Sequence, residues 1–246
     1  MSIASYFVDE RSQTLRLLYC SSNNLIMSAF TLIIGNKNYS SWSLRPWLAL
    51  KQIGTDFTEI RIPLYTATAR QELLRHSPAG KVPILHHGDI TVWESLAICE
   101  YLAECFPDVP LLPQEPSARA LARSISAEMH ASFYKLRYSM PMNCRARLPG
   151  LGMQPGVQED INRVLDIWNN CRNNFGSSGD LLFGHFTIPD AMFAPVVLRF
   201  MTYGVKLDST SQAYAEAILA LPAIQQWIAA AQDESETIPE FELSSK

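Results

Sequence analysis

The chain has 246 residues, of which 48% are hydrophobic, and its formal net charge at pH 7 is −4. This size and composition allow a substantial buried core and predict either one large globular domain or two smaller ones. The negative charge argues against a nucleic-acid-binding surface, and no apolar run approaches the roughly 20 residues that a membrane-spanning helix needs. We therefore expect a soluble protein with no nucleic-acid or membrane partner.

Cysteine usage indicates the compartment and argues against a metal site. The five cysteines are Cys20, Cys99, Cys105, Cys144 and Cys171. They lack the C-x-x-C spacing and the paired histidines of zinc sites, and their number is odd. We predict free thiols in a reducing cytoplasm and no bound metal.

In chain order, the first segment is an extension over residues 1–26, which has no signal-peptide pattern and is predicted to be disordered. A strand begins at Phe30, and a polar loop leads to a helix over residues 42–53. A second, edge-like strand is predicted for residues 56–64 and a short helix for residues 69–75. This part of the chain therefore opens in a β-α-β-α order.

A hairpin over residues 82–92 and a helix that ends near Phe106 follow, so that residues 27–106 read β-α-β-α-β-β-α. Residues 107–116 contain four prolines in ten positions. Proline breaks helices and stiffens an extended chain, so this stretch is predicted to be a linker.

The remainder of the chain is predicted to be an all-helical domain over residues 117–232, followed by a tail over residues 233–246. The helical patterns cover residues 117–138, 157–174, 189–203 and 211–231. Thr187 and Asp190 have the spacing of a capping box at the start of the third of these helices. That helix is apolar on all sides, so we expect it to be central and both capping residues to be structural.

Four segments in this order resemble the cytosolic glutathione S-transferase superfamily. They are "NYSSWSLRPWLALK" (residues 38–51), "SPAGKVPIL" (77–85), "ESLAICEYL" (94–102) and "FGHFTIPDAMF" (183–193). The resemblance implies a thioredoxin-like glutathione-binding domain followed by an all-helical substrate-binding domain. It also implies glutathione as co-substrate, a small electrophile as second substrate, a role in detoxification and a homodimer.

The valine-proline pair of the second segment corresponds to the family's peptide-binding turn. The resemblance implies that the Val82–Pro83 bond is cis and that the Val82 backbone pairs with the cysteinyl main chain of glutathione like an added strand. Lys81 corresponds to a residue that approaches the glycyl carboxylate in several classes, although a solvated surface lysine fits this position equally well.

The glutamate-serine pair of the third segment stands where a helix begins. By resemblance, Glu94 and Ser95 hold the γ-glutamyl end of glutathione. The free N–H groups of a helix N-terminus favour a carboxylate, and Glu94 can accept a hydrogen bond from the ligand's ammonium group. A plain N-cap is the alternative for Ser95, and the two roles are compatible.

The residue at the catalytic position differs between classes of the superfamily. No cysteine occurs in residues 38–43, which leaves Ser40, Ser41 and Tyr39 as candidates, in that order. Counting back from Lys51 without gaps aligns Ser40 with the theta- and delta-class serine. The zeta-class order Ser-Ser-Cys is absent. One of the two serines is also expected to cap the helix.

Several nearby residues are interpreted as packing residues. Arg45, Trp42 and Trp47 of the first helix are expected to pack rather than to contact ligand. The five histidines lack ligand spacing and are also assigned to packing or to the surface. Arg137 could meet an anionic substrate, and Met129, Phe133, Met140 and Met142 fit either an electrophile pocket, the core or a dimer interface.

The sequence therefore predicts a serine-type glutathione S-transferase of zeta- or theta-like character. Within the enzyme class, the alternative is a zeta-like glutathione-dependent cis-trans isomerase of the maleylacetoacetate type. Outside it, the alternative is a glutathione transferase-like protein that binds partners without catalysis.

Overall fold

A computed structural model of the protein describes residues 29–243. The extension predicted over residues 1–26 lies outside this range, as do the last three residues of the predicted tail.

A mixed four-stranded sheet forms the first part of the fold. Its strands are β1 (Phe30–Ile34), β2 (Phe57–Arg61), β3 (Ile84–His87) and β4 (Ile90–Trp93). The order across the sheet is β2-β1-β3-β4, with β1 parallel to β2 and antiparallel to β3. The apolar strand β1 is therefore central, which explains why Leu32, Ile33 and Ile34 are completely buried.

Three helices accompany the sheet, namely α1 (Ser41–Ile53), α2 (Ala69–His76) and α3 (Ser95–Cys105). They confirm the predicted β-α-β-α-β-β-α order. Helix α1 begins after Ser40, whose side chain caps it, and ends at Gly54, whose φ of 78° places it in the left-handed region. Glycine takes this conformation at little cost, so it stops the helix.

The remaining regular secondary structure of the described chain is helical, apart from two isolated β-bridges between residues 181 and 185. The helices are α4 (Pro116–Ala131), α5 (Tyr134–Ser139), α6 (Val157–Phe175), α7 (Ile188–Tyr203), α8 (Ser209–Ala220) and α9 (Pro222–Gln232), followed by a 3-10 turn at Pro239–Phe241.

The predictions of two long helices are wrong, because the structure has two separate helices in each of these segments. The helix predicted for residues 117–138 stops at Ser132, and Phe133 takes a left-handed φ of 61° with its side chain buried. The helix predicted for residues 211–231 breaks at Leu221, whose backbone is extended. Pro222 follows it, and a proline disfavours the helical conformation of the residue before it.

Helix α7 is buried along almost its whole length and packs against α1 and α4. The predicted capping box is present: the Asp190 carboxylate accepts hydrogen bonds from the Thr187 N–H at 2.8 Å and the Leu182 N–H at 3.1 Å. Burial raises the pKa of Asp190 to about 6, although these hydrogen bonds act against the shift. The structural role expected for Thr187 and Asp190 is confirmed.

The proline-rich stretch between α3 and α4 packs closely against the helices. Leu111 is buried, and its carbonyl accepts a hydrogen bond from the Ile188 N–H at the start of α7. The interpretation of residues 107–116 as an interdomain linker stays a prediction.

Candidate functional site

An open cleft lies beside the turn that precedes β3. The Val82–Pro83 peptide bond is cis, which confirms the expectation. Neither the N–H nor the C=O group of Val82 has a hydrogen-bond partner within residues 29–243. The cleft has a volume of about 310 Å³ and is lined by Trp42, Ala79, Lys81, Val82, Pro83, Trp93, Glu94 and His130. An extended ligand backbone could therefore pair with Val82 there.

The N-terminus of α3 reaches the same cleft through Glu94. This residue takes an unusual backbone conformation for a residue with a side chain, with φ of 71° and ψ of 125°. Its carboxylate is half-exposed and stands 3.6 Å from the Nε2 atom of His130. Strain of this kind clusters at functional sites, and here it places a carboxylate at the cleft.

Ser95 lies directly behind Glu94 and is fully buried. Its hydroxyl oxygen accepts a hydrogen bond from the Nη1 atom of Arg45 at 3.4 Å, and it is not among the residues that line the cleft. Lys81 is exposed at the cleft and forms no ion pair within the described part of the chain. Both of its predicted roles, ligand contact and solvated lysine, therefore remain open.

Ser40 caps α1 and is buried. Its hydroxyl oxygen accepts from the Ser43 N–H at 3.4 Å and lies 2.7 Å from the Ser43 hydroxyl oxygen. Ser43 in turn accepts a hydrogen bond from the Gly35 N–H at 3.0 Å. If Ser43 uses its own proton toward Ser40, the proton of Ser40 is available to a further acceptor.

Ser41 opens the first turn of α1, and its hydroxyl oxygen accepts from the Nη2 atom of Arg199 at 3.3 Å. The hydroxyl proton of Ser41 is therefore also available. Neither Ser40 nor Ser41 is among the residues that line the cleft. Which of the two would activate a thiol stays a prediction.

Tyr39, the third catalytic candidate, is engaged elsewhere. Its hydroxyl donates to the Glu242 carboxylate and accepts from the Nη2 atom of Arg145 at 2.9 Å. Its ring also lies 5.8 Å from the ring of Phe241. With its hydroxyl bound to these groups, Tyr39 is less available to a ligand than either serine, and it does not line the cleft.

The loop 36–40, which precedes α1, is held by residues from the far end of the chain. The Glu234 carboxylate accepts from the Lys37 N–H at 2.7 Å and from the Asn38 N–H at 3.0 Å. The indole N–H of Trp227 donates to the Lys37 carbonyl at 2.9 Å. The amide of Asn38 donates to Asn143 at 3.0 Å. The residues that carry the proposed catalytic hydroxyl are thus fixed by helical elements and by the tail.

One wall of the cleft was missed by sequence reasoning. Trp42 and His130 line it, with their ring centroids 5.3 Å apart. The guanidinium of Arg45 lies 4.4 Å from the Trp42 ring centroid and that of Arg137 lies 5.3 Å from it. Trp42 was expected to pack, and it does so on one side while facing the cleft on the other.

Burial and nearby charges lower the pKa values of two residues at this wall, Arg45 and His130. Burial lowers the pKa of Arg45 to about 9, with further lowering by Arg199 and Arg137. Burial also lowers the pKa of His130, and Arg45 adds to this effect while Glu94 opposes it. The wall of the cleft therefore places His130, whose pKa is lowered, in front of the buried guanidinium of Arg45.

The residues considered for an electrophile pocket are core residues. Met129, Phe133, Met140 and Met142 are all buried in the main hydrophobic core, and none of them lines the cleft. Arg137 donates to the His130 carbonyl at 3.1 Å and stands behind the wall rather than in the lining.

Residues 39–105 match the family model described as "Glutathione S-transferase, N-terminal domain". Maleylacetoacetate isomerase of Rattus norvegicus is 43% identical over 194 residues, a match that covers 75% of this chain and 85% of that protein. The chain belongs to the glutathione S-transferase superfamily. This membership confirms the resemblance found in the sequence and agrees with the expectation of an enzyme.

Two further proteins are similar to this glutathione S-transferase superfamily member. A probable maleylacetoacetate isomerase of Caenorhabditis elegans is 45% identical over 86 residues, which is 35% of this chain and only 39% of that protein. A glutathione transferase homologue from Burkholderia, solved with bound glutathione, matches with a TM-score of 0.65 and 26% identity, covering 84% of this chain and all of that one.

Within residues 29–243, no group of three or more histidine, cysteine or acidic side chains is placed to hold a metal ion. The helices of this range include none that is long and apolar enough to cross a membrane.

Proposed function

We propose that this chain is a glutathione S-transferase in which a serine hydroxyl stabilises the glutathione thiolate for attack on a small electrophile. The observation that carries the proposal is the cleft at the cis Val82–Pro83 bond, where the Val82 backbone is unpaired and Glu94 stands at a helix N-terminus.

Glutathione fits the chemistry of this cleft from end to end. The Val82 peptide group would pair with the cysteinyl main chain, as when a peptide adds a strand to a sheet. Glu94 would accept a hydrogen bond from the γ-glutamyl ammonium, while the N-terminus of α3 with Ser95 would take the adjacent carboxylate. Lys81 would meet the glycyl carboxylate.

The serine is proposed because an unassisted thiol is poorly ionised. With a pKa of about 8.5, only roughly 3% of it is thiolate at pH 7. Lowering this pKa by about two units requires roughly 2.7 kcal/mol, which is close to the value of one charge-assisted hydrogen bond. Ser40 remains the first candidate donor, supported by the Ser43 and Gly35 contacts, which leave its proton available when Ser43 donates to Ser40.

The test is a calorimetric titration with glutathione, followed by turnover measurements with an aryl halide. Micromolar to millimolar binding with turnover is expected. Binding without turnover would favour the non-catalytic glutathione-binding alternative, and absence of binding would exclude both. Val82→Ala, which keeps the backbone groups, is the matched control and should bind normally.

A second candidate function, glutathione-dependent cis-trans isomerisation, is favoured by the similarity to two maleylacetoacetate isomerases. In this reaction the thiolate would add to a conjugated cis double bond and leave after rotation. A cis-enedione assayed for its trans product distinguishes the candidates, because glutathione is regenerated in isomerisation and consumed in conjugation.

We also propose the domain division and assembly that the sequence predicts. A glutathione-binding domain over residues 27–106 would precede an all-helical domain over residues 117–232, joined by residues 107–116.

Two chains would pair the first domain of one with the helical domain of the other. Sedimentation at micromolar concentration should give a dimer, and a strictly monomeric profile would contradict the assembly.

A further inference from the structure

Arg45 is a buried cation with no assigned role in the proposed function. It lies in the middle of α1 with 1% of its surface exposed. Its Nη1 atom donates to the Ser95 hydroxyl at 3.4 Å, and its guanidinium stacks over the Trp42 ring. Its Nε–H group is buried and has no hydrogen-bond partner within residues 29–243.

The charge of Arg45 has no ion-pair partner in the described chain. No carboxylate in residues 29–243 lies within ion-pair distance of it; burial, Arg199 and Arg137 lower its pKa, and the opposing effects of Cys99 and Glu94 do not restore it. A buried ion without a counter-charge is unfavourable, and such groups persist where a ligand or a paired charge offsets the cost.

The position of Arg45 indicates which ligand group this would be. Ser95 is the first residue of α3, whose N-terminus carries a partial positive charge and unpaired N–H groups. Because Arg45 donates to the Ser95 oxygen, this contact does not use the hydroxyl proton of Ser95. The guanidinium of Arg45 and the hydroxyl of Ser95 therefore lie together at the N-terminus of α3.

We infer that Arg45 is a positioning residue that supplies the buried counter-charge for the α-carboxylate of the ligand's γ-glutamyl group, acting through the Ser95 hydroxyl. This inference rests on the proposed glutathione site and deepens it. It makes the cleft selective for ligands that carry a carboxylate at this end, and it distinguishes Arg45 from the packing residue that the sequence suggested.

The test compares three ligands by calorimetry on wild type and on Arg45→Met. The ligands are glutathione, 4-aminobutyryl-cysteinylglycine, which lacks only the α-carboxylate, and γ-glutamylcysteine N-methylamide, which lacks only the glycyl carboxylate. Wild type should bind glutathione about 30-fold more tightly than the aminobutyryl ligand, the usual value of a charged hydrogen bond. In Arg45→Met this ratio should fall to about threefold, with the methylamide ratio unchanged.

A purely structural role for Arg45 gives a different pattern, in which the variant weakens all three ligands by the same factor. That result overturns the inference while leaving the proposed function intact. Failure of wild type to bind glutathione overturns both. Arg147→Met removes an exposed arginine and is the matched control, which should leave every ratio unchanged.

Removal of a buried arginine can unfold the protein, so a second pair of variants keeps the inference testable. Arg45→Lys retains the charge and should retain most of the preference for the α-carboxylate. Ser95→Ala removes the hydroxyl and should reduce the same ratio without changing the methylamide ratio. Far-ultraviolet circular dichroism verifies folding, and an unchanged aminobutyryl ratio in folded Ser95→Ala contradicts action through Ser95.

Discussion

The loop 36–40 and the turn at Val82–Pro83 differ in where their polar groups find partners. In the loop, Glu234 binds two successive N–H groups, and Tyr39 is bound by Arg145 and Glu242. At the turn, the Val82 backbone has no partner within residues 29–243, and the nearby Glu94 is half-exposed. Within the described chain, the turn therefore has unpaired backbone groups, whereas the Lys37 and Asn38 N–H groups of the loop already have hydrogen-bond partners.

The loop 36–40 and the cleft should therefore respond differently to substitution. A group whose hydrogen bonds are already made gains little from a ligand, whereas a group without a protein partner can gain the net free energy of exchanging water for a ligand hydrogen bond. Changes in the loop should therefore affect stability and catalytic geometry, and changes at the cleft should affect affinity.

The largest expected effect comes from breaking the loop's support at Glu234. Glu234→Ala leaves the Lys37 and Asn38 N–H groups without their acceptor, and hydrogen bonds to a charged group contribute about 1.5–3 kcal/mol each. We expect the free energy of unfolding to fall by about 3 kcal/mol, measured by urea denaturation.

Two controls sharpen this test. Glu234→Gln retains one acceptor oxygen and should cost about half as much. Glu236→Ala removes only a partly exposed ion pair with Arg61, at 2.8 Å, and should change stability by less than about 1 kcal/mol. Equal effects of Glu234→Ala and Glu236→Ala would show that the loop does not depend on the buried carboxylate.

The next effect is expected at the cleft, in Glu94. Glu94→Ala should weaken glutathione binding by roughly 1.5–3 kcal/mol, because it removes a charged hydrogen-bond acceptor, and should leave the fold intact. Glu94→Gly should lose the same affinity but be about 1 kcal/mol more stable than the alanine variant, since glycine tolerates the positive φ.

Calorimetry and urea denaturation measure the two quantities separately. An unchanged dissociation constant in Glu94→Ala would mean that this residue only begins the helix.

Substitution of Ser40 should affect both the ionisation of bound glutathione and the stability of the fold. Ser40→Ala should raise the pKa of bound glutathione by roughly one to two units, because one charge-assisted hydrogen bond to the thiolate is lost. It should also cost about 1 kcal/mol of stability through the lost helix cap. Thiolate absorbance against pH measures the first effect.

Ser41→Ala is the matched comparison and should shift the thiol pKa much less. The reverse order would identify Ser41 as the donor. No shift in either variant would remove both serines from the mechanism.

The smallest effect concerns His130 in the cleft wall, whose pKa is lowered by burial and by Arg45 and Arg137, with Glu94 opposing. Because the folded pKa lies below the unfolded value of about 6.5, the unfolded state takes up a proton first as pH falls. Stability from the neutral imidazole is therefore present above pH 6.5 and is lost as pH falls through the folded pKa.

His130→Gln should flatten the dependence of unfolding free energy on pH in this range. Denaturation midpoints at a series of pH values measure it, and His185→Gln, at an exposed histidine, is the control. An identical pH profile in wild type and His130→Gln would contradict the assigned pKa direction.

Local sequence was enough to predict the strands, most helices and the Thr187–Asp190 cap, because each depends on residues close together in the chain. The cis Val82–Pro83 bond was predicted from the resemblance to the superfamily, since a valine-proline pair alone favours the trans form. The contacts that define the cleft wall depend on distant residues. Arg45 meets Ser95 across 50 positions, and Trp42 meets His130 from another helix. One sequence carries no signal for such pairings, so Arg45 and Trp42 were read as packing residues.

Two of the hydrogen bonds that hold the loop 36–40 can form only late in the synthesis of the chain. Glu234 follows Lys37 by 197 positions and Asn38 by 196, so these bonds cannot form until nearly the whole described chain has left the ribosome. Contacts this far apart in sequence close late in folding. An incomplete chain therefore carries Ser40 on a loop that lacks these two hydrogen bonds until residue 234 has been added.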